Sequence, residues 1–214
     1  MKFNKLNEMD KFLTPDKDFK EFYWDNGYVI LSKLIKNSDL EKFYKSYRNI
    51  QNSELKYFAM TTQKLQNIEI TKNGFIKHPI ADAAICDYIN NDLGEFAKSS
   101  RSLLSSKEIV DCLKALHNNE NYFHAVMSMF FDANAGTPAH CDNYYLDSLP
   151  GGNLTAVWIA LEDIDENAGR FFVLKKSNKY EFNLSQQQID NADEYESYMK
   201  EFVSNNKKNL IIPE

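Results

Sequence analysis

The stretch Gly136-Thr-Pro-Ala-His-Cys-Asp-Asn-Tyr-Tyr145 decides the reading of this chain. In an extended strand, residues two apart point to the same face. The His140 imidazole and the Asp142 carboxylate can therefore reach one small ion together. One imidazole and one carboxylate are two of the three donors of the facial triad that holds non-heme Fe(II) and leaves positions open for substrate chemistry. The third donor, a second histidine, is expected further along, yet no histidine follows His140. The same tripeptide also arises where a histidine caps a loop and an aspartate starts a turn. Cys141 points to the opposite face of a regular strand and is not counted as a ligand.

The flanks suit a sheet. Upstream, Tyr122-Phe-His-Ala-Val-Met-Ser-Met-Phe-Phe131 reads as a buried strand, ending in the turn-forming run Asp132-Ala-Asn-Ala-Gly-Thr-Pro138. Downstream, Leu149-Pro-Gly-Gly152 makes a turn. Asn153-Leu-Thr-Ala-Val-Trp-Ile-Ala-Leu161 then reads as a strand buried on both faces. Arg170-Phe-Phe-Val-Leu174 follows as a further strand. Short strands separated by turns are the rhythm of an antiparallel jelly roll or barrel.

Four blocks together resemble the phytanoyl-CoA dioxygenase family of Fe(II)- and 2-oxoglutarate-dependent oxygenases. They are Phe19-Lys-Glu-Phe-Tyr-Trp-Asp-Asn-Gly-Tyr-Val-Ile-Leu31, His140-Cys-Asp-Asn-Tyr-Tyr145, Val157-Trp-Ile-Ala-Leu-Glu-Asp-Ile164 with Asn167-Ala-Gly169, and Val173-Leu-Lys-Lys-Ser-Asn-Lys179. The last departs from the family's Pro-Gly-Ser-His-Lys-like turn. The resemblance implies an α+β fold: a double-stranded β-helix (jelly roll, cupin-like) with N-terminal helices packed on the outside. It implies Fe(II) at His140 and Asp142, with 2-oxoglutarate as cosubstrate, O2, and a small organic substrate that becomes hydroxylated. Asp142 speaks for hydroxylation, because an iron halogenase leaves that position to chloride. Met129 and Trp158 are expected to line the 2-oxoglutarate pocket, or else to be plain barrel core. Tyr144 and Tyr145 are candidates for substrate contact, or simply strand aromatics.

In the family the chain continues into a Gly-Asp-led strand, a distal histidine and an arginine for the cosubstrate's far carboxylate. Asn209-Leu-Ile-Ile-Pro-Glu214 resembles the start of that strand, so the C-terminal strands are expected to be missing and the domain incomplete. Leu210-Ile-Ile212 then reads as an apolar run without a following partner. Two other classes stay open. One is a non-catalytic jelly-roll binding module that lacks the third iron ligand. The other is a cupin-like metalloprotein using His124 with His140 and Asp142.

Bulk properties suit one domain of 214 residues, 43% hydrophobic. A formal charge of -6 argues against a nucleic-acid partner. No apolar run approaches a membrane span, and the N-terminus lacks the apolar core of a signal peptide. Cys86, Cys112 and Cys141 are too few and too scattered for a disulfide framework, which suits a reducing cytoplasm. The chain divides into a helical part of about residues 1–118 and a jelly-roll part of about 119–214. Helices are expected at Asp16 to Asp25 (Thr14 as cap, Pro15 at the first position), from a capping box at Ser38-Asp-Leu-Glu41, and at Ile80–Ile89, Leu93–Leu104 and Lys107–Leu116. Another is expected at Ser185 to Val203, inserted between strands. His78 and His117 read as loop and helix-end residues.

Overall fold

The computed structural model describes residues 11–118, 127–133, 136–165 and 168–213. It is a mixed α/β structure with antiparallel sheets, divided into two compact units. One unit comprises residues 33–114 and 118–136. The other comprises 1–32, 115–117 and 137–214.

In the first of these, α2 (Asn37–Gln51) buries Phe43, Tyr47 and Ile50, which recur at helical spacing. The helix α3 (Gly94–Leu104) buries Phe96, Ala97, Ser100 and Leu103 in the same way, and α4 (Lys107–Leu116) buries Ile109 and Cys112. A four-stranded sheet runs in the order β4 (Lys64–Asn67), β3 (Lys56–Ala59), β5 (Ile80–Ala81), β6 (Met129–Phe130), with every pairing antiparallel. Phe43, Phe96 and Phe130 meet with ring centroids 5.4 to 5.5 Å apart, joining α2, α3 and β6 in one aromatic core. Beside it, the half-buried Asp132 carboxylate accepts from the Tyr47 hydroxyl and the Ile76 N–H, each at 2.5 Å.

In the other unit, α1 (Lys17–Asn26) lies between β1 (Lys11–Phe12) and β2 (Ile30–Leu31), which pair in parallel. The strands β7 (Val173–Leu174) and β8 (Leu210–Ile211) pair antiparallel. Between those two strands the chain inserts α5 (Gln186–Asp190) and α6 (Ala192–Asn205). The end of α1 is tied to the turn after β7. The Asn178 amide donates to the Trp24 carbonyl at 3.1 Å, the Lys176 N–H to the Asn26 carbonyl at 2.7 Å, and Lys179 pairs with Asp25 at 2.9 Å.

Several sequence expectations are corrected. The helix at 17–26 is capped by Asp16, whose carboxylate accepts from the Phe19 N–H; Thr14 instead offers its carbonyl to the Asp16 N–H. No capping box forms at Ser38-Asp-Leu-Glu41. The extended residue there is Lys36, whose carbonyl takes the Asp39 and Leu40 N–H groups, so Ser38 falls inside the first turn. The box is at Ser185, with Gln188 as its partner. Ile80–Ile89 is not a helix, because Asp82 sits at φ +49° and breaks the run into β5 and a short 3-10 turn at Cys86–Tyr88. The helix expected over Ser185–Val203 divides at Asn191, which is extended and caps α6 with its own side chain. Of the expected Tyr122–Phe131 strand, the described residues hold only β6; His124 lies outside them.

The balance of helix and strand also differs from expectation. Three of the four strands of the larger sheet come from the first half of the chain. No β-ladder among the described residues includes 154–161, and Val157 and Trp158 are partly exposed. Apolar content alone does not make a strand; a neighbouring backbone must supply the ladder. Leu210 and Ile211, expected to lack a partner, pair with Leu174 and Val173.

Two tests follow from packing and burial. Gly27 ends α1 at φ +79°, and a Cβ there would meet the Asn178 side chain at 2.7 Å. Gly27→Ala is expected to cost about 2 kcal/mol, from left-handed backbone strain plus the clash, read by denaturant unfolding. Burial pushes the Asp132 carboxyl up from its ordinary value, against two hydrogen bonds that pull it down. A raised folded-state pKa gives stability that is present below the unfolded value and lost as pH rises through the folded one. Asp132→Asn is therefore expected to cost more stability at about pH 4 than at pH 7. An equal cost at both would contradict the assignment.

Candidate metal centre

The two candidate donors are brought together, although not by a regular strand. Cys141 is extended, at φ -104° and ψ 130°, and a 3-10 turn begins at Asp142. One extended residue is enough to put its neighbours' side chains on the same side. His140 Nε2 lies 3.2 Å from Asp142 Oδ1. His140 Nδ1 donates to the Pro138 carbonyl at 2.8 Å, because a carbonyl only accepts. That bond fixes the ring orientation and turns Nε2 toward Asp142, the arrangement that a metal-ligating histidine needs. The carboxylate beside it, first by hydrogen bond, holds the His140 pKa above its ordinary value against the desolvation that lowers it.

A clamp of tyrosines surrounds the pair. The Cys141 N–H donates to the Tyr195 hydroxyl at 2.8 Å. Tyr195 is buried on α6, and burial pushes its pKa up to about 12, so at neutral pH the hydroxyl is uncharged. Its ring stacks on Tyr144, with centroids 3.6 Å apart and planes at 2°. The Tyr144 hydroxyl donates to the Gln188 and Ile189 carbonyls of α5 at 3.1 and 3.0 Å. Tyr145 sets its ring edge-on to His140 at 5.4 Å and remains more than half exposed.

The remaining candidates have other contacts. Trp158 stacks on Phe171 at 5.4 Å, and both rings are partly exposed. Met129 lies on β6, paired with Ala81, and is also partly exposed rather than barrel core. His117 follows α4 and meets the Thr155 hydroxyl at 2.8 Å, while His78 meets the Thr61 hydroxyl at 2.7 Å. Sequence reasoning missed Pro138 and Tyr195. The apolar spacing of the helix marked Tyr195 as a packing residue, and nothing in that spacing shows what its hydroxyl bonds.

Two donors 3.2 Å apart fit adjacent positions on one ion, since neighbouring ligands at about 2.1 Å from an octahedral centre are about 3 Å apart. Among the described residues, no group of three or more His, Cys, Asp or Glu side chains could hold a metal ion. His140 and Asp142 are a pair, not a complete three-donor set, among the described residues.

The phytanoyl-CoA dioxygenase (PhyH) family model matches residues 23–209 of the chain. The chain belongs to the phytanoyl-CoA dioxygenase family. A protein of Bos taurus named phytanoyl-CoA dioxygenase, peroxisomal, is 22% identical over 169 residues, which are 75% of this chain and 47% of the relative. The chain therefore spans about half the length of the curated relative that it matches. No solved structure matches. At family level, phytanoyl-CoA dioxygenases imply oxygenase chemistry with Fe(II) and 2-oxoglutarate, a small-molecule substrate and O2. No helix among the described residues is long and apolar enough to cross a membrane.

The Pro138 bond gives a direct test. Nitrogen-15 NMR of the metal-free protein at neutral pH is expected to show Nδ1 of His140 carrying a proton. An Nδ1 without a proton would mean that the ring is turned and Nε2 is not aimed at Asp142.

Proposed function

We propose that this phytanoyl-CoA dioxygenase family member is an Fe(II)- and 2-oxoglutarate-dependent dioxygenase that hydroxylates a small organic substrate. The observation that carries the reading is the 3.2 Å approach of His140 Nε2 to Asp142 Oδ1, with Nδ1 held by the Pro138 carbonyl. His140 and Asp142 would hold the metal, with a third donor from outside the described residues. When bound, Fe(II), 2-oxoglutarate and O2 supply an oxidation in which the keto acid loses carbon dioxide to become succinate and the substrate gains a hydroxyl group.

The residues of this chain do the holding. The Pro138 carbonyl fixes which imidazole nitrogen faces the ion. Asp142 brings the negative charge that a divalent cation requires and leaves no vacancy for a halide. Tyr145, exposed beside His140, is placed to meet a substrate at the metal. Tyr144 is bound by both its ring and its hydroxyl, so its role is support more than substrate contact. Trp158 with Phe171 offers an aromatic wall for the cosubstrate, and Met129 is kept as a candidate for cosubstrate contact on its own account. The surrounding architecture is read as the family's double-stranded β-helix, of which β7 and β8 with their helical insert form part. Three free thiols suit a reducing compartment, and we place the protein in the cytoplasm.

The test is succinate release from 2-oxoglutarate with Fe(II), ascorbate and a panel of acyl thioesters and small acids. Asp142→Ala and His140→Ala are expected to lower it at least 100-fold, because each removes a metal donor. Unchanged turnover in either variant would contradict the assignment. A wild-type protein that binds Fe(II) but forms no succinate would favour the binding-module reading.

A further inference from the structure

We propose that Tyr195 is a positioning residue for the metal centre: its hydroxyl holds the peptide between His140 and Asp142 in the one conformation that lets both side chains reach the same ion. The inference rests on the reading of His140 and Asp142 as metal donors.

Three observations carry it. The first is where the bond falls. The Cys141 N–H lies on the chain between the two ligand side chains, and it donates to the Tyr195 hydroxyl at 2.8 Å. Rotation about the Cys141 backbone swings His140 against Asp142, so an anchor on that N–H restrains the donor-to-donor distance directly. The second is rigidity. Tyr195 is buried, and its ring lies flat on Tyr144 at 3.6 Å. Tyr144 belongs to the 3-10 turn that Asp142 opens, so the same ring grips the chain on both sides of Asp142. The third is the support behind it. Tyr144 is fixed by the α5 carbonyls of Gln188 and Ile189, and α6 is started by its own Asn191 cap. The helical insert between β7 and β8 thus has a physical task, which is to deliver one hydroxyl to one peptide.

A ring that only filled space would do the same without its oxygen. Tyr195→Phe separates the two roles, since it keeps the stack and deletes the acceptor. It leaves the half-buried Cys141 N–H without its partner, and that peptide is expected to turn to find another. Partners of this kind, one step beyond the ligands, typically contribute 10- to 100-fold to metal affinity.

The experiment compares the full chain with Tyr195→Phe, Met199→Ala and His140→Ala. Met199 is buried on the same helix face one turn later, so its truncation loosens α6 without touching the Cys141 bond. Co(II) binding is followed by its visible spectrum. In the metal-free proteins, Cys141 amide exchange and the His140 ring resonances are followed by NMR. Tyr195→Phe is expected to weaken Co(II) binding roughly 10- to 100-fold, to speed Cys141 exchange and to shift the His140 resonances. Met199→Ala is expected to lower the melting temperature and leave all three unmoved. Equal Co(II) affinity and unmoved resonances in Tyr195→Phe overturn the proposal. So do equal losses in Met199→Ala, which would make the role merely structural. Should Tyr195→Phe fail to fold, 3,5-difluorotyrosine at 195 alters the acceptor strength of the hydroxyl within nearly intact packing, and the His140 resonances must still move. If His140→Ala binds Co(II) as the wild type does, the metal reading itself falls and the positioning role with it. If His140→Ala loses binding while Tyr195→Phe keeps it, only the Tyr195 assignment fails.

Discussion

An imidazole and a carboxylate two residues apart can share one ion only if the residue between them is held extended. Everything described around residue 140 bears on that constraint. A free peptide at Cys141 could adopt several conformations, and most would separate the two side chains. Here its N–H is engaged by Tyr195, the imidazole on one side is engaged by Pro138, and the chain on the other side turns at once into a 3-10 helix that carries Tyr144. The two side chains are thereby held close together, so in the proposed metal centre the entropy of ordering them would not oppose ion binding.

The constraint also gives meaning to parts of the fold far along the chain. The helices α5 and α6 interrupt two strands, β7 and β8, that pair directly with each other. Such an insert is tolerated because its ends stay fixed by the ladder while its interior is free to carry side chains elsewhere. Its capping box at Ser185 and its Asn191 cap give it defined starting points. The turn after β7 is likewise tied back to the end of α1 through Asn178 and Lys179.

More of the candidate site's geometry than of the fold was legible in the sequence. The closeness of His140 to Asp142 could be read from spacing alone, because an i, i+2 relation survives even when only the middle residue is extended. The helices α3 and α4 were legible because their apolar positions repeat at a helical period over ten or more residues. The 154–161 segment misled because its apolar content says nothing about whether a neighbouring backbone is there to pair with it. Ile80–Ile89 misled because one left-handed residue, Asp82, breaks a pattern that composition does not reveal. Tyr195 was visible as an apolar helix position, but the target of a single hydroxyl 54 residues from its partner is a tertiary fact. The family, by contrast, needed only the order and spacing of the blocks, and the match over residues 23–209 agrees with that reading.

The central claim is that one ion sits between His140 and Asp142. The most direct measurement is a crystal soaked in Co(II), with anomalous scattering collected on both sides of the cobalt edge. A cobalt peak is expected within bonding distance, about 2.1 Å, of both His140 Nε2 and Asp142 Oδ1. A crystal in which cobalt binds elsewhere, while His140 and Asp142 stay paired to each other, would contradict it.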